Sequence, residues 1–246
     1  MFSRRRPPKK FKPLEPFAAQ VSQAEVALAD IRNGDHVFIG TACAAPHTLL
    51  QALDRLPVVP ADLEMLHFFT VNAFDKDGEG QITRRFKHRV FFVGTDMLGA
   101  VKQGLVEYVP ISAARVPEMI ERGRIRVDVA LIQVSLPDEF GYVSLGVSVD
   151  MIPAAVARAR LVIAEVNPAM PRSMGDSTLH VSRIHHLVPV DVPVTELARE
   201  PAPEETVQRI ARYIAGIIED GSTLQVGLSR LAHEALGCTL DELPPQ

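Results

Sequence analysis

Two apolar runs without alternation, residues 127–135 and 161–166, each pass directly into a polar, turn-rich loop. The loops read Leu136-Pro137-Asp138-Glu139-Phe140-Gly141-Tyr142 and Asn167-Pro168-Ala169-Met170-Pro171-Arg172-Ser173-Met174-Gly175-Asp176. Continuous Val, Ile, Leu and Ala mark strands covered on both faces, as in parallel sheets flanked by helices. Ligands of such sheets collect at the carboxyl ends of the strands, so chemistry is expected in these loops. Further strands are predicted at residues 35–40, 63–70, 90–94 and 106–111. Helices are predicted from Ser22, whose Ser-x-x-Glu pattern with Glu25 reads as a capping box, to just before Asn33-Gly34, and at residues 46–53, 96–104, 116–123 and 153–160. Residues 141–149 are expected to add a hairpin. The alternation predicts an α/β fold with a mainly parallel sheet and flanking helices.

The turn and strand Asn33-Gly34-Asp35-His36-Val37-Phe38-Ile39-Gly40 are echoed by Asp220-Gly221-Ser222-Thr223-Leu224-Gln225-Val226-Gly227. A helical stretch precedes each copy, at 205–218 in the second, and Leu49 falls opposite Leu236. Three parts are therefore expected: a basic Pro-rich tail over residues 1–20, an α/β domain over 21–200, and, beyond a Pro-rich linker at 192–203, the truncated start of a second similar domain over 203–246. Roughly 40 residues rarely fold without disulfides or metals. That last part is expected to pack on the first, pair with another chain, or mark a truncated reading frame.

Composition narrows the function classes. With 246 residues, 47% hydrophobic and 23% charged, the chain can bury a sizeable core. A formal net charge of −4 offers no field to gather nucleic acid, and the basic cluster Arg4, Arg5, Arg6, Lys9, Lys10 and Lys12 reads as a solvated leader. No run approaches the ~20 apolar residues that cross a bilayer, and the leader lacks a signal-peptide core. A cytoplasmic protein is expected, with no membrane or nucleic-acid partner. Two cysteines, Cys43 and Cys238, form no disulfide framework.

The pieces Gln133-Val134-Ser135-x-Pro137-Asp138-Glu139-x-Gly141-Tyr142, Ser144-Leu145-Gly146 and Val166-Asn167-x-x-Met170-Pro171-Arg172-x-x-Gly175-Asp176 follow one another in order. With Gly40 to Leu53, Phe91-Phe92-Val93-Gly94 and Tyr108-Val109-Pro110-Ile111, they resemble the N-terminal half of the acetyl-CoA hydrolase/transferase family, a branch of the class I CoA-transferases. The resemblance runs from about Glu25 to the C-terminus. It implies a CoA-transferase-like fold, coenzyme A as co-substrate with no permanently bound cofactor, and acyl-CoA and a small carboxylic acid as reactants. It also implies that a glutamate in the second half attacks the thioester and carries CoA as a glutamyl thioester. This chain ends before that glutamate would appear. A C-terminal-half partner subunit or a homo-oligomer is therefore expected. Where relatives of this type continue the second-copy strand with glycines and a proline, this chain has Leu228-Ser229-Arg230-Leu231-Ala232.

Candidate substrate-binding residues are Gly40, Thr41, Ala45 and Pro46 in a strand-to-helix loop, whose small residues and helix N-terminus suit an anion, and Asn167, Met170, Arg172, Gly175 and Asp176 in the second loop. Prolines 168 and 171 are expected to hold that loop extended, presenting Asn167, Met170 and Arg172, with Asp176 orienting Arg172 or capping the next segment. Tight strand-to-helix packing, a structural connector and, for residues 135–144, a simple turn remain the competing readings. Glu165 is the one in-chain candidate nucleophile, and burial there raises its pKa. Cys43 is a weaker one. No metal site is expected: His180, His185 and His186 lack ligand partners at zinc spacing, and the loop at 75–80 departs from calcium-loop spacing. Two further readings stand beside CoA transfer or acetyl-CoA hydrolysis. One is a non-catalytic CoA-binding or scaffold remnant; the other is an independent hydrolase using Glu165 or Cys43.

Overall fold

A computed structural model describes residues 9–74, 81–94, 97–197, 205–227 and 230–241. Its contacts divide the chain into two compact units, Met1–Leu197 and Ala198–Gln246. In the first, a 3₁₀ segment Lys9–Phe17 precedes α1 (Ala24–Leu28), β1 (His36–Ile39), α2 (His47–Arg55), β2 (Glu64–His67), α3 (Gln81–Arg85) and β3 (Lys87–Val90). Then come α4 (Leu98–Lys102), β4 (Val106–Tyr108), α5 (Val116–Glu121), β5 (Val129–Val134), β6 (Tyr142–Ser144), α6 (Ile152–Arg158), β7 (Leu161–Val166), β8 (Thr178–His180) and β9 (His186–Pro189). Seven strands form one sheet in the order β4-β3-β2-β1-β5-β7-β9, and every pairing is parallel.

Both faces of this sheet are covered, which is why its central strands carry no alternation. Val37 and Ile39 of β1 face a core with Leu28, Leu49 and Leu53 of α1 and α2. Phe38, between them in sequence, faces the opposite core with Val116, Ile120, Ile152 and Val156 of α5 and α6. Successive side chains of a strand point to opposite faces, so one apolar run serves both layers. From β1 the sheet grows through β2 to β4 on one side and through β5 to β9 on the other. The order thus reverses between β1 and β5, the crevice position where open α/β sheets receive ligands.

Several local expectations shift. Phe11 and Leu14 are buried in the α5/α6 core, so this part of the leader is anchored, while Lys12 stays exposed. Ser22 does not cap α1: its hydroxyl meets His186 Nδ1 at 3.2 Å, and the N-cap Gln23 makes no side-chain cap bond. The strand expected at 90–94 is Lys87–Val90 instead, and its exposed or half-buried Lys87 and Arg89 hid it in the pattern. No hairpin forms at 141–149, because β6 pairs antiparallel with β8, Tyr142 opposite His180. β9 was not anticipated. No helix among the described residues is long and apolar enough to cross a membrane.

In the second unit, α7 (Glu205–Ala215) and α8 (Arg230–Asp241) flank an apolar hollow of about 210 Å³ lined by Ile214, Leu224, Val226, Ala235 and Leu236 among others. The echoed strand at 224–227 is not a strand: it pairs with nothing among the described residues, and Leu224 and Val226 stay partly exposed. A strand exists through its neighbours' backbone groups, so sequence similarity to β1 does not by itself make one. Leu228, Ser229 and the side chain of Arg230, where the chain departs from the family's pattern, lie outside the described residues, as does the loop at 75–80.

Candidate functional site

The carboxyl ends of β1, β5 and β7 lie side by side at one edge of the sheet, and three segments leave from them. After β1, Gly40 turns so tightly that a Cβ on it would stand 3.1 Å from Ala44 O and 3.4 Å from Leu131 O. Thr41 follows, fully buried, its hydroxyl 2.6 Å from Ser148 Oγ and donating to Asp150 Oδ2 at 2.8 Å. Ala42 and Asp150 are both non-glycine residues in the left-handed region, with φ of 48° and 37°. Such conformations cost of order 1 kcal/mol each and cluster at functional sites. Ala45 and Pro46 are buried, and α2 begins directly behind them.

The N-terminus of α2 does not wait for an external anion. Its N-cap, Pro46, has no capping side chain. Glu165 of β7 supplies the cap across the core: Leu49 N donates to Glu165 Oε1 at 2.7 Å, and the Thr48 amide also reaches the carboxylate. These are the second and third amides of the helix, the ones an N-cap side chain normally satisfies. Glu165 pairs in register with Gln133 on β5, whose Nε2 donates to Glu165 Oε2 at 3.2 Å and to Ala45 O at 3.4 Å. Desolvation pushes the Glu165 carboxyl up to about 7, opposed by the hydrogen bonds from Leu49, Gln133 and Thr48. With no exposed surface and both oxygens engaged, Glu165 is placed to hold the helix.

Asn167, at the end of β7, is also fully buried. Its Nδ2 donates to Gln133 Oε1 at 3.3 Å and to Val192 O at 2.9 Å, and its Oδ1 accepts from Ala169 N at 3.0 Å. Met170 is buried against Gly146. The expected presentation of Asn167 and Met170 is thus replaced by inward packing, because the chain turns at Asn167 instead of continuing extended. Arg172 does reach the surface. It donates to Leu136 O at 3.2 Å, Tyr142 O at 3.1 Å and Asp138 Oδ2 at 3.0 Å, tying the second loop to the first. Its acidic partner is Asp138, where Asp176 was expected. Gly175 and Asp176 are exposed beside Met174.

Residues 191–197 cross this edge. Val192 is held by Asn167, Thr195 Oγ1 lies 2.9 Å from His47 Nε2 at the start of α2, and the Leu197 backbone meets the Cys43 thiol. Burial pushes that thiol up, the opposite of what a nucleophile needs. Sequence reasoning passed over Gln133, Asp150 and this crossing segment. The signal for Gln133 was available: it and Glu165 are the polar residues inside two otherwise apolar strands. Among the described residues no cluster of His, Cys, Asp and Glu could hold a metal ion.

The acetyl-CoA hydrolase/transferase N-terminal domain matches residues 7–220. A 4-hydroxybutyrate coenzyme A transferase of Clostridium kluyveri is 38% identical over 222 residues, covering 90% of this chain and 51% of the relative. RipA from Yersinia pestis superposes with a TM-score of 0.79 at 29% identity, over 89% of this chain and 53% of that one. A 4-hydroxybutyrate CoA-transferase from Porphyromonas gingivalis gives 0.66 at 29% identity, over 91% and 52%. The chain spans about half the length of the curated relatives it matches.

Proposed function

Because the chain belongs to the acetyl-CoA hydrolase/transferase family as its N-terminal domain, a family that uses coenzyme A as co-substrate, we propose that it forms one wall of a CoA-handling cleft and works in acyl-CoA:carboxylate CoA transfer or the related thioester hydrolysis. The observation that carries this reading is the convergence of the Gly40 to Pro46 loop, the Ser135 to Tyr142 loop and the Asn167 to Asp176 loop where the strand order reverses. In the proposed reaction a glutamate carboxylate from a second half attacks the thioester carbonyl and the C–S bond breaks. The released CoA thiolate then attacks the glutamyl carbonyl of the resulting mixed anhydride and expels the original carboxylate, so that CoA is held as a glutamyl thioester before passing to an acceptor acid by the same two steps in reverse. The first wall contributes positioning, through Arg172 and the exposed backbone of the loops, while Thr41, Ala45, Pro46, Asn167 and Met170 shape it from within. The C-terminal half is the proposed partner of this wall, and the proposed location is the cytoplasm.

The purified chain should therefore show no exchange between acetyl-CoA and a second carboxylate until a matching C-terminal half is added. Exchange by this chain alone would overturn the division of labour, and borohydride trapping with peptide mapping would then locate the nucleophile. The second reading is a non-catalytic CoA-binding remnant. That reading predicts CoA binding without exchange even after the half is supplied.

A further inference from the structure

Three polar side chains inside the sheet form a continuous relay. From the N-terminus of α2 it passes through the Glu165 carboxylate, the Gln133 amide and the Asn167 amide to the carbonyl of Val192 in the segment that crosses the edge. Its polarity is fixed at each step. The backbone amide of Leu49 can only donate, so it needs an oxygen of Glu165. Ala45 O and the carboxylate can only accept, so both take Gln133 Nε2, which leaves Gln133 Oε1 facing Asn167 Nδ2. Val192 O and the Ala169 amide independently demand the same orientation of Asn167. Every bond is made only when Glu165 carries no proton.

We propose that Glu165 is a positioning residue whose ionised carboxylate orders Gln133 and Asn167 and thereby locks together the Gly40 to Pro46 loop, the Asn167 loop and the crossing segment at 191–197. A proton on Oε2 would face Gln133 Nε2. To accept it, Gln133 turns its amide over, which sets Nε2 against Asn167 Nδ2. Asn167 must then turn as well, releasing Val192 O and setting two donors against each other at Ala169. One proton therefore loosens segments on three elements, since a buried unmatched donor is costly. The charged and titratable groups on the surrounding elements are His47, Asp54 and Arg55 on α2, Cys43 before it, Glu25 on α1, His36 on β1, His186 on β9, and Asp191 and Glu196 on the crossing segment. None enters the causes of the Glu165 shift, which are desolvation and three hydrogen bonds. Its carboxyl, raised to about 7, makes the change accessible near neutral pH.

Hydrogen–deuterium exchange of the full chain, corrected for intrinsic rates, tests this between pH 8.5 and 5.5. Protection of residues 41–50, 167–173 and 190–197 should fall together as pH is lowered, by roughly tenfold and levelling off below about 7, as one coupled proton allows. Global stability should move the other way. A carboxyl raised in the folded state contributes stability that is fully present below its unfolded value and is lost as pH rises towards 7. The urea midpoint of wild type relative to Glu165→Gln should therefore drop between pH 5 and 7. Gln133→Leu leaves the helix cap and cuts the relay, so residues 41–50 keep their pH response while the other two segments lose it. Constant protection in wild type, or a response confined to 41–50, would overturn the relay. Insofar as the cleft binds CoA, the reading on which this last step rests, calorimetry with CoA in two buffers should show proton release between about pH 7 and 8 in wild type and none in Glu165→Gln. CoA binding without that release sinks the coupling, whereas absence of CoA binding sinks the cleft reading and leaves the exchange result to decide the relay.

Discussion

Gly146 sits so close to Met170 that its missing side chain is a requirement of the fold. A Cβ there would collide with Met170 Sδ and stand 3.1 Å from Pro171 O, on a backbone with φ of +68°. Gly146→Ala should destabilise the protein by about 1–3 kcal/mol, from overpacking and from a left-handed alanine. Urea unfolding would measure it, and a loss under about 0.5 kcal/mol would mean that the loop yields freely. The Ser-Leu-Gly motif was visible in the sequence, but its partner was not, since nothing in residues 144–146 points to Met170. Glu165 illustrates the same limit. Its burial and raised pKa follow from an apolar strand, yet whether such a carboxyl attacks a thioester or caps a helix depends on what lies opposite, and that is the amide of Leu49 on a separate element.

At the level of elements, Arg172 joins the loops that leave β5 and β7. It bonds two backbone carbonyls and the carboxylate of Asp138, and all of these are partly exposed. Arg172→Ala should change global stability by less than about 1 kcal/mol. It should nevertheless speed proteolytic cleavage within residues 136–142 several-fold; an unchanged cleavage rate would show that the loops hold each other without it. The long buried strands β5 and β7 were legible because covering on both faces leaves an unbroken apolar run. β3 and β9 were poorly legible: short strands with half-exposed His, Lys and Arg carry no such run. The pairing of β6 with β8 was also hidden, because antiparallel partners distant in sequence leave no turn signal between them.

Over the whole chain, the described residues give a covered parallel sheet in one unit and two helices around an apolar hollow in the other. Residues 1–197 alone should unfold cooperatively in urea with a far-ultraviolet spectrum of mixed α/β type. Residues 198–246 alone should be largely unfolded, since a piece of roughly 40–50 residues buries too little apolar surface to offset its chain entropy. A folded, cooperative second piece would show that it needs no partner. Hydrophobic period and loop composition determined the α/β class, the direction of the central strands and the edge where the candidate loops gather, because these follow from local pattern and from the geometry common to all parallel sheets. Tertiary structure alone decided what the inward-turned polar groups bond to. Hydrogen-bond partners such as Glu165 and Leu49, or Asn167 and Val192, are chosen by proximity across the fold, and proximity of that kind leaves no periodic mark in the chain.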